Sequence, residues 1–329
     1  MEALRRICDI IMKPLRRNVN FFMFMYLLGC VCAWATLPDT RNARLYDNLY
    51  LELFIDLYLL CVLLTLLPRK VMIWVRALLY AVFYAAAVVD VYCFVKFEST
   101  LTPTMLLLVG ETDSREAGEF IKSCVSPDIV FSPVGWVLLV ILSHVLCVLR
   151  LRFPHFIPRR QREFLKSLWL TAAHWVRKWA MAEAAVVVVL LVWAAVSSFH
   201  NKQATWKLMT GRTIGDVEHT LTEKDHAVLY APVYRLAFSI YANTLTAKQV
   251  QRLVATADKV HVDSCSFRSP TIVLIIGESY NRHHSQMYGY SMPTTPRQLK
   301  LERTGRLVRF DDVVSPWNLT SFVFKHIFS

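Results

Sequence analysis

Charge is scarce in this sequence. Of 329 residues only 19% are Asp, Glu, Lys or Arg, against about 25% in an ordinary soluble domain. Glycine and proline are few as well, at 9 and 13, which excludes collagen-like or low-complexity material. Disorder is excluded because 55% of the residues are hydrophobic. No zinc-type Cys-x-x-Cys pair occurs among the eight cysteines. No internal repeat is visible either. The first apolar run starts near residue 20, after a long basic segment and without a small-residue cleavage pattern, which predicts an uncleaved first helix rather than a signal peptide. What is present is apolar sequence in blocks, together with a formal net charge of +12.

Five runs, residues 20–37, 49–67, 71–95, 133–149 and 180–199, are apolar enough to compete for a bilayer core that takes about 20 residues of helix. Glu52, Asp56, Arg76 and Asp90 lie inside them and are costly in hydrocarbon. Asp56 and Asp90 read either as a proton or ion path or as interhelical hydrogen-bonding groups near a membrane edge. The basic residues sort by connection. Arg5, Arg6, Lys13, Arg16 and Arg17 precede the first run, and Arg69 and Lys70 fill the second connection, with Arg76 just inside the next helix. Arg150, Arg152, Arg159, Arg160, Arg162, Lys166, Arg177 and Lys178 fill the fourth. The first and third connections hold only Arg41, Arg44, Lys96, Arg115 and Lys122, and the third is net acidic. This alternation fits the positive-inside rule with an internal N-terminus. It predicts a multi-pass bacterial inner-membrane protein with residues 200–329 in the periplasm. The charge therefore needs no nucleic-acid partner.

Cys30, Cys32, Cys61, Cys93 and Cys147 fall in the apolar runs, and Cys8 falls on the internal side. Only Cys124 and Cys265 reach the oxidising side, where they either pair or stay as free thiols.

After residue 200 the sequence becomes mixed and charged. Residues 246–259 have apolar positions at near-helical spacing and no breaker. Thr271 to Ile276 is a β-branched run bounded by Pro270 and Gly277, which predicts a short buried parallel strand. Glu278 follows at its carboxyl end, where open α/β sheets bind ligands. Residues 308–313 offer a second, weaker strand. A similar string, MLLLVGET at 105–112, is Leu-rich and is followed by Glu116 and Glu119, which predicts an amphipathic helix at the external membrane face instead.

The stretch TIVLIIGESYNRHHSQMYGYSMPTTPRQLKL, followed by FDDVVSPWNLTSFVFKHIFS, resembles the lipid A and lipopolysaccharide-core phosphoethanolamine transferases. The shared pattern is strand–Gly277-Glu278-Ser279, then Tyr288-Gly289-Tyr290, Thr294-Thr295-Pro296 and Leu299, then Thr320, 42 residues after Glu278. The loop TPTMLLLVGETDSREAGEF is also similar to the family's external loop, so the resemblance covers nearly the whole chain. It implies a five-helix transmembrane domain (residues 1–200), a periplasmic connector (201–265) and the start of a sulfatase-like, alkaline-phosphatase-superfamily α/β domain (266–329). It implies transfer of phosphoethanolamine from phosphatidylethanolamine to lipopolysaccharide, on lipid A or the core, through a phospho-threonine. Zn2+ is the implied cofactor, with Glu278 as ligand and Thr320 as both ligand and nucleophile. A helix start at Thr320 would assist phosphate binding.

Thr112 and Glu116 resemble residues that hold the ethanolamine head group, although Leu108 stands where the family often has Asn; a surface helix face is the other reading. Asn318 is a further candidate near the phosphate. His283 and His284 match no family ligand and read as a solvated loop, and His326 reads as packing. The family's other zinc ligands lie well beyond the nucleophile, so they are expected downstream of residue 329, and the sequence as it stands is expected to transfer nothing. Two other classes remain open: a lipoteichoic-acid-synthase-like phosphoglycerol transferase, and a membrane transporter using Asp56 and Asp90. Classical sulfatases are disfavoured, because Cys265-Ser-Phe-Arg-Ser does not fit their Cys-x-Pro-x-Arg motif.

Overall fold

The computed structural model describes residues 2–41, 43–111, 127–152 and 180–257, then residues 264, 269–271, 273–275, 277 and 280–315. Those described residues form helices and turns, with no strand among them. They divide into two compact units, Met1–Gln251 and Arg252–Ser329.

The first unit is a helical bundle. Its helices are α1 (Glu2–Arg17), α2 (Val19–Ala35), α3 (Leu49–Leu66), α4 (Arg69–Phe97), α5 (Pro103–Glu111), α6 (Pro133–Arg152), α7 (Ala180–Met209) and α8 (Ile214–Thr222). Most of α9 (Pro232–Ala257) belongs to it as well. The apolar helices have no polar stripe and so bury one side and leave the other bare. Phe21, Met25, Leu53, Leu57, Leu64, Val91 and Val137 form the shared core of α2, α3, α4 and α6. Leu63, Trp74, Trp136, Val192 and Val196 stay more than half exposed on the outside, an apolar surface that suits lipid. Gly29 allows α2 to approach α3, since a Cβ there would come within 2.6 Å of the Leu53 side chain.

Three helices, Leu49–Leu66, Arg69–Phe97 and Met181–Met209, are long and apolar enough to cross a membrane. A fourth crossing results if the bent pair Arg6–Arg17 and Val19–Ala35 counts as one. Pro133–Leu149 is apolar but shorter. The structure thus carries three or four candidate crossings where the sequence expects five.

The pair bends by 67° at Asn18. Asn18 is buried, and its Nδ2 donates to the carbonyls of Pro14 (3.1 Å) and Cys61 (3.3 Å) and to Thr65 Oγ1 (3.1 Å). The break is therefore tied to the end of α3. On the far side of the break, α1 packs Met12, Ile11 and Leu15 against α3 and α7 around Ala184 and Val187.

In the second unit, Arg282–His284 and Gln286–Tyr288 form two tight turns, followed by α10 (Pro296–Arg303). Thr294 and Thr295 staple them together. Thr294 Oγ1 donates to the His284 carbonyl (2.7 Å) and accepts from Gln286 N (3.1 Å), while Thr295 Oγ1 accepts from Met287 N (3.3 Å). Gly289 ends the second turn at φ 92°, a left-handed conformation that glycine adopts without a Cβ clash.

The strands expected at 271–276 and 308–313 are not formed at their described residues. Val273, Leu274 and Ile275 are 74%, 72% and 86% exposed, and Val308, Phe310 and Val313 are also bare. A parallel strand is stable only when paired and covered on both faces, and the described residues supply no partner strand. The α/β domain is accordingly not seen among the described residues.

Candidate functional site

The densest polar constellation lies where the N-terminal part of α3 and the C-terminal part of α4 meet α7 and α9. Glu52 and Asp56 stand one turn apart on α3, so both face the same neighbour. That neighbour is α7, where Asn201 and Lys202 follow the apolar stretch. Lys202 Nζ donates to Glu52 Oε1 at 2.9 Å and to Asp56 Oδ2 at 2.6 Å. Asn201 Nδ2 lies 3.0 Å from each Glu52 oxygen, and the Asn201 Oδ1 accepts from Val228 N at 2.8 Å. Tyr230 and Tyr234 complete the shell. Both hydroxyls donate to Asp56 Oδ2, the latter at 2.5 Å. Burial, with help from the neighbouring Asp56 carboxylate, pushes both phenols far above their ordinary pKa, so each remains a donor. Tyr46 stacks on Tyr230, and burial pushes its pKa to about 12.

Asp90 on α4 has its own partner. Arg235 Nε and Nη2 meet its two oxygens at 2.8 and 2.6 Å, a bidentate pair, while the same carboxylate accepts from Leu101 N at 3.0 Å. Arg235 Nη1 donates to the Leu229 carbonyl at 2.6 Å. Asp90 is completely buried, and the Arg235 side chain is 12% exposed.

Chemically, this constellation is closed. Glu52, Asp56 and Asp90 all have charge-matched partners, which suits a tie between apolar helices and the segment that follows them. In this structure Asp56 and Asp90 make hydrogen bonds between helices. Lys202, Asn201, Tyr230, Tyr234 and Arg235 were not singled out by the sequence. The available signal was the cost of acids in an apolar run, which requires a base somewhere, and Lys202 directly follows the last run.

Of the residues proposed from sequence, Glu278, Thr320, Asn318, Thr112 and Glu116 lie outside the described residues, as do Cys124, Cys265 and His326. Cys8, Cys30, Cys32, Cys61, Cys93 and Cys147 are in no disulfide among the described residues. His283 and His284 are exposed in their turn, His284 against the Tyr290 ring. Among the described residues no group of three His, Cys, Asp or Glu side chains converges on a metal position. The string at 105–112, expected as an amphipathic helix, is helical through Glu111 in α5, which is held by a 3.0 Å bond from Asn243 Nδ2 to the Pro103 carbonyl. No protein-family model, no curated protein and no solved structure matches this chain.

Proposed function

We propose that this protein is a membrane-bound phosphoethanolamine transferase of the sulfatase-like class, acting on lipopolysaccharide at the periplasmic face of a bacterial inner membrane. The observation that carries this reading is the ordered set Gly277-Glu278, Tyr288-Gly289-Tyr290, Thr294-Thr295-Pro296 and Thr320 behind a set of apolar helices. The compact fold of the middle block supports it, because the hydroxyls of Thr294 and Thr295 bind the turn that contains Tyr288 and Gly289. Five crossings, with the short helix Pro133–Leu149 and the bent N-terminal pair each counted as one, fit the alternation of basic connections.

In this reading the Thr320 hydroxyl attacks the phosphorus of phosphatidylethanolamine. The bond from phosphorus to the diacylglycerol oxygen breaks, diacylglycerol leaves with the proton, and Thr320 carries ethanolamine phosphate. An acceptor oxygen on lipid A or a core sugar then attacks the same phosphorus and restores the Thr320 hydroxyl. Glu278 and Thr320 are hard oxygen donors of the type zinc accepts, and zinc bound there would lower the hydroxyl's pKa and offset phosphoryl charge. Thr112, Glu116 and Asn318 are the proposed head-group and phosphate contacts.

The test is intact-peptide mass spectrometry of the full-length protein isolated from phosphatidylethanolamine-containing membranes. The expected result is an ethanolamine phosphate adduct on the peptide carrying Thr320, absent from Thr320→Ala. A glycerol phosphate adduct would transfer the protein to the phosphoglycerol class, and an unmodified Thr320 peptide from wild-type protein would overturn the proposal.

A further inference from the structure

α1 has three longitudinal sectors. Met12, Ile11 and Leu15 face α3 and α7, with Cys8 beside them. The sector centred on Arg6, Lys13 and Arg17 is polar and exposed. Between them, Ile7 and Ile10 are 53% and 70% exposed although they are large and apolar. A helix continuing as a crossing would not place charges on a third of its circumference, and a helix in water would not leave two isoleucines bare beside its basic face. The 67° bend at Asn18 then turns α1 away from the α2 direction, and the Asn18 bonds to Cys61 and Thr65 hold that bend at the end of α3. Tyr58 anchors it further by donating to the Ile11 carbonyl at 3.0 Å.

We infer that α1 is an interfacial helix seated on an anionic lipid leaflet, with Ile7 and Ile10 in the acyl boundary and Arg6, Lys13 and Arg17 against phosphodiester headgroups. This rests on the membrane reading of the bundle but not on the transferase chemistry. Two observations favour a lipid surface as the occupant. Bare apolar residues adjoin basic ones along one side of the helix, the pattern of helices that lie in an interface. Helix α2 also leaves α1 after a single residue, Asn18, which keeps Ile7 and Ile10 at the depth where an apolar crossing enters the bilayer. Arg69 and Lys70 open α4 directly after Leu67 and Pro68, which follow the α3 terminus that holds Asn18 and Arg17, so the same end of the bundle gathers further positive charge. Basic residues near an anionic surface each strengthen its binding by about fivefold.

The test uses the full protein in nanodiscs of phosphatidylcholine with or without phosphatidylglycerol. A spin label at position 10, through Ile10→Cys in a background lacking the natural cysteines, is expected to be reached by oxygen more than by a water-soluble nickel reagent. A label at position 13 is expected to show the reverse. Native mass spectrometry is expected to find phosphatidylglycerol retained over phosphatidylcholine, with that preference falling about fivefold for each charge removed in Arg6→Gln/Lys13→Gln. Preferential nickel access at position 10, or an unchanged lipid preference in the double variant, would overturn the inference. Failure of the Thr320 adduct would leave these readouts untouched.

Discussion

The bundle treats charge in opposite ways at its two ends. Around α1, the Arg6, Lys13, Arg16 and Arg17 side chains are exposed, and the contact between Arg16 and Asp9, at 3.3 Å, lies in solvent. Where α3 and α4 meet α9, Glu52 is 1% exposed and Asp90 is fully buried, each locked to a base. Charges of the first kind cost little and can accumulate, so their number carries topology. Charges of the second kind are expensive to strip of water, and they persist only when a partner is delivered with good geometry. The partners come from far along the chain: Lys202 lies 146 residues beyond Asp56, and Arg235 lies 145 beyond Asp90. Those acids therefore report a tertiary contact: the segment after the last apolar helix is tied to the bundle.

The contrast breaks most sharply at Asp90. Asp90→Ala would leave the largely enclosed Arg235 guanidinium without its carboxylate and Leu101 N without an acceptor. Removing one partner of a buried pair costs about 3–5 kcal/mol, whereas removing both often costs far less. Thermal unfolding in detergent is expected to show a large loss for Asp90→Ala and substantial recovery in Asp90→Leu/Arg235→Met. Equal losses in the single and double variants would show that the pair is not what holds α9 to α4.

Lys202→Ala is expected to be milder. Asp56 keeps the hydroxyls of Tyr230 and Tyr234, and Glu52 keeps Asn201, so the carboxylates lose one donor each rather than all of them. An effect of about 2 kcal/mol on the same unfolding measurement is the scale of a buried acceptor left partly unmet. An effect as large as that of Asp90→Ala would mean the ammonium, and not the phenols, carries the site.

Much of the first unit was legible because apolar runs and basic flanks are local signals. All five runs became helices, and Arg16, Arg17, Arg69, Lys70 and Arg152 fell at helix ends. The count of crossings was less legible, since the bend at Asn18 depends on bonds to Cys61 and Thr65, residues in a different helix. The partners of Glu52, Asp56 and Asp90 were hidden for the same reason. Tyr230, Tyr234 and Arg235 sit in a segment of mixed composition where nothing local marks them. In the second unit, the Gly-Tyr and Thr-Pro blocks read from the sequence do fold onto one another, because their contacts are short-range. The β-branched run at 271–276 is different. Its strand character depends on neighbours, and β preference expresses packing on a pleated surface rather than an intrinsic backbone choice.

The smallest effect belongs to Glu223, the exposed counterpart of the buried pairs. It meets Lys207 Nζ at 2.7 Å, close to the 2.6 Å ion pairs of the buried network, yet both side chains face water. The Lys207 hydrogen bond, with added attraction from Lys207 and His219, holds its carboxyl below the ordinary value of 4.5. A lowered carboxylate pKa contributes stability that is complete above the unfolded value and is lost as pH falls through the folded one. Glu223→Gln is therefore expected to lower the unfolding temperature slightly at neutral pH, and the difference from wild type should vanish as the pH falls below 4.5 and through the lowered folded value. It should also vanish at high salt, because exposed pairs are screened. The Asp90–Arg235 pair, shielded from water, should keep its contribution in the same salt. Matching salt sensitivity in the two pairs would mean that distance rather than burial sets their strength.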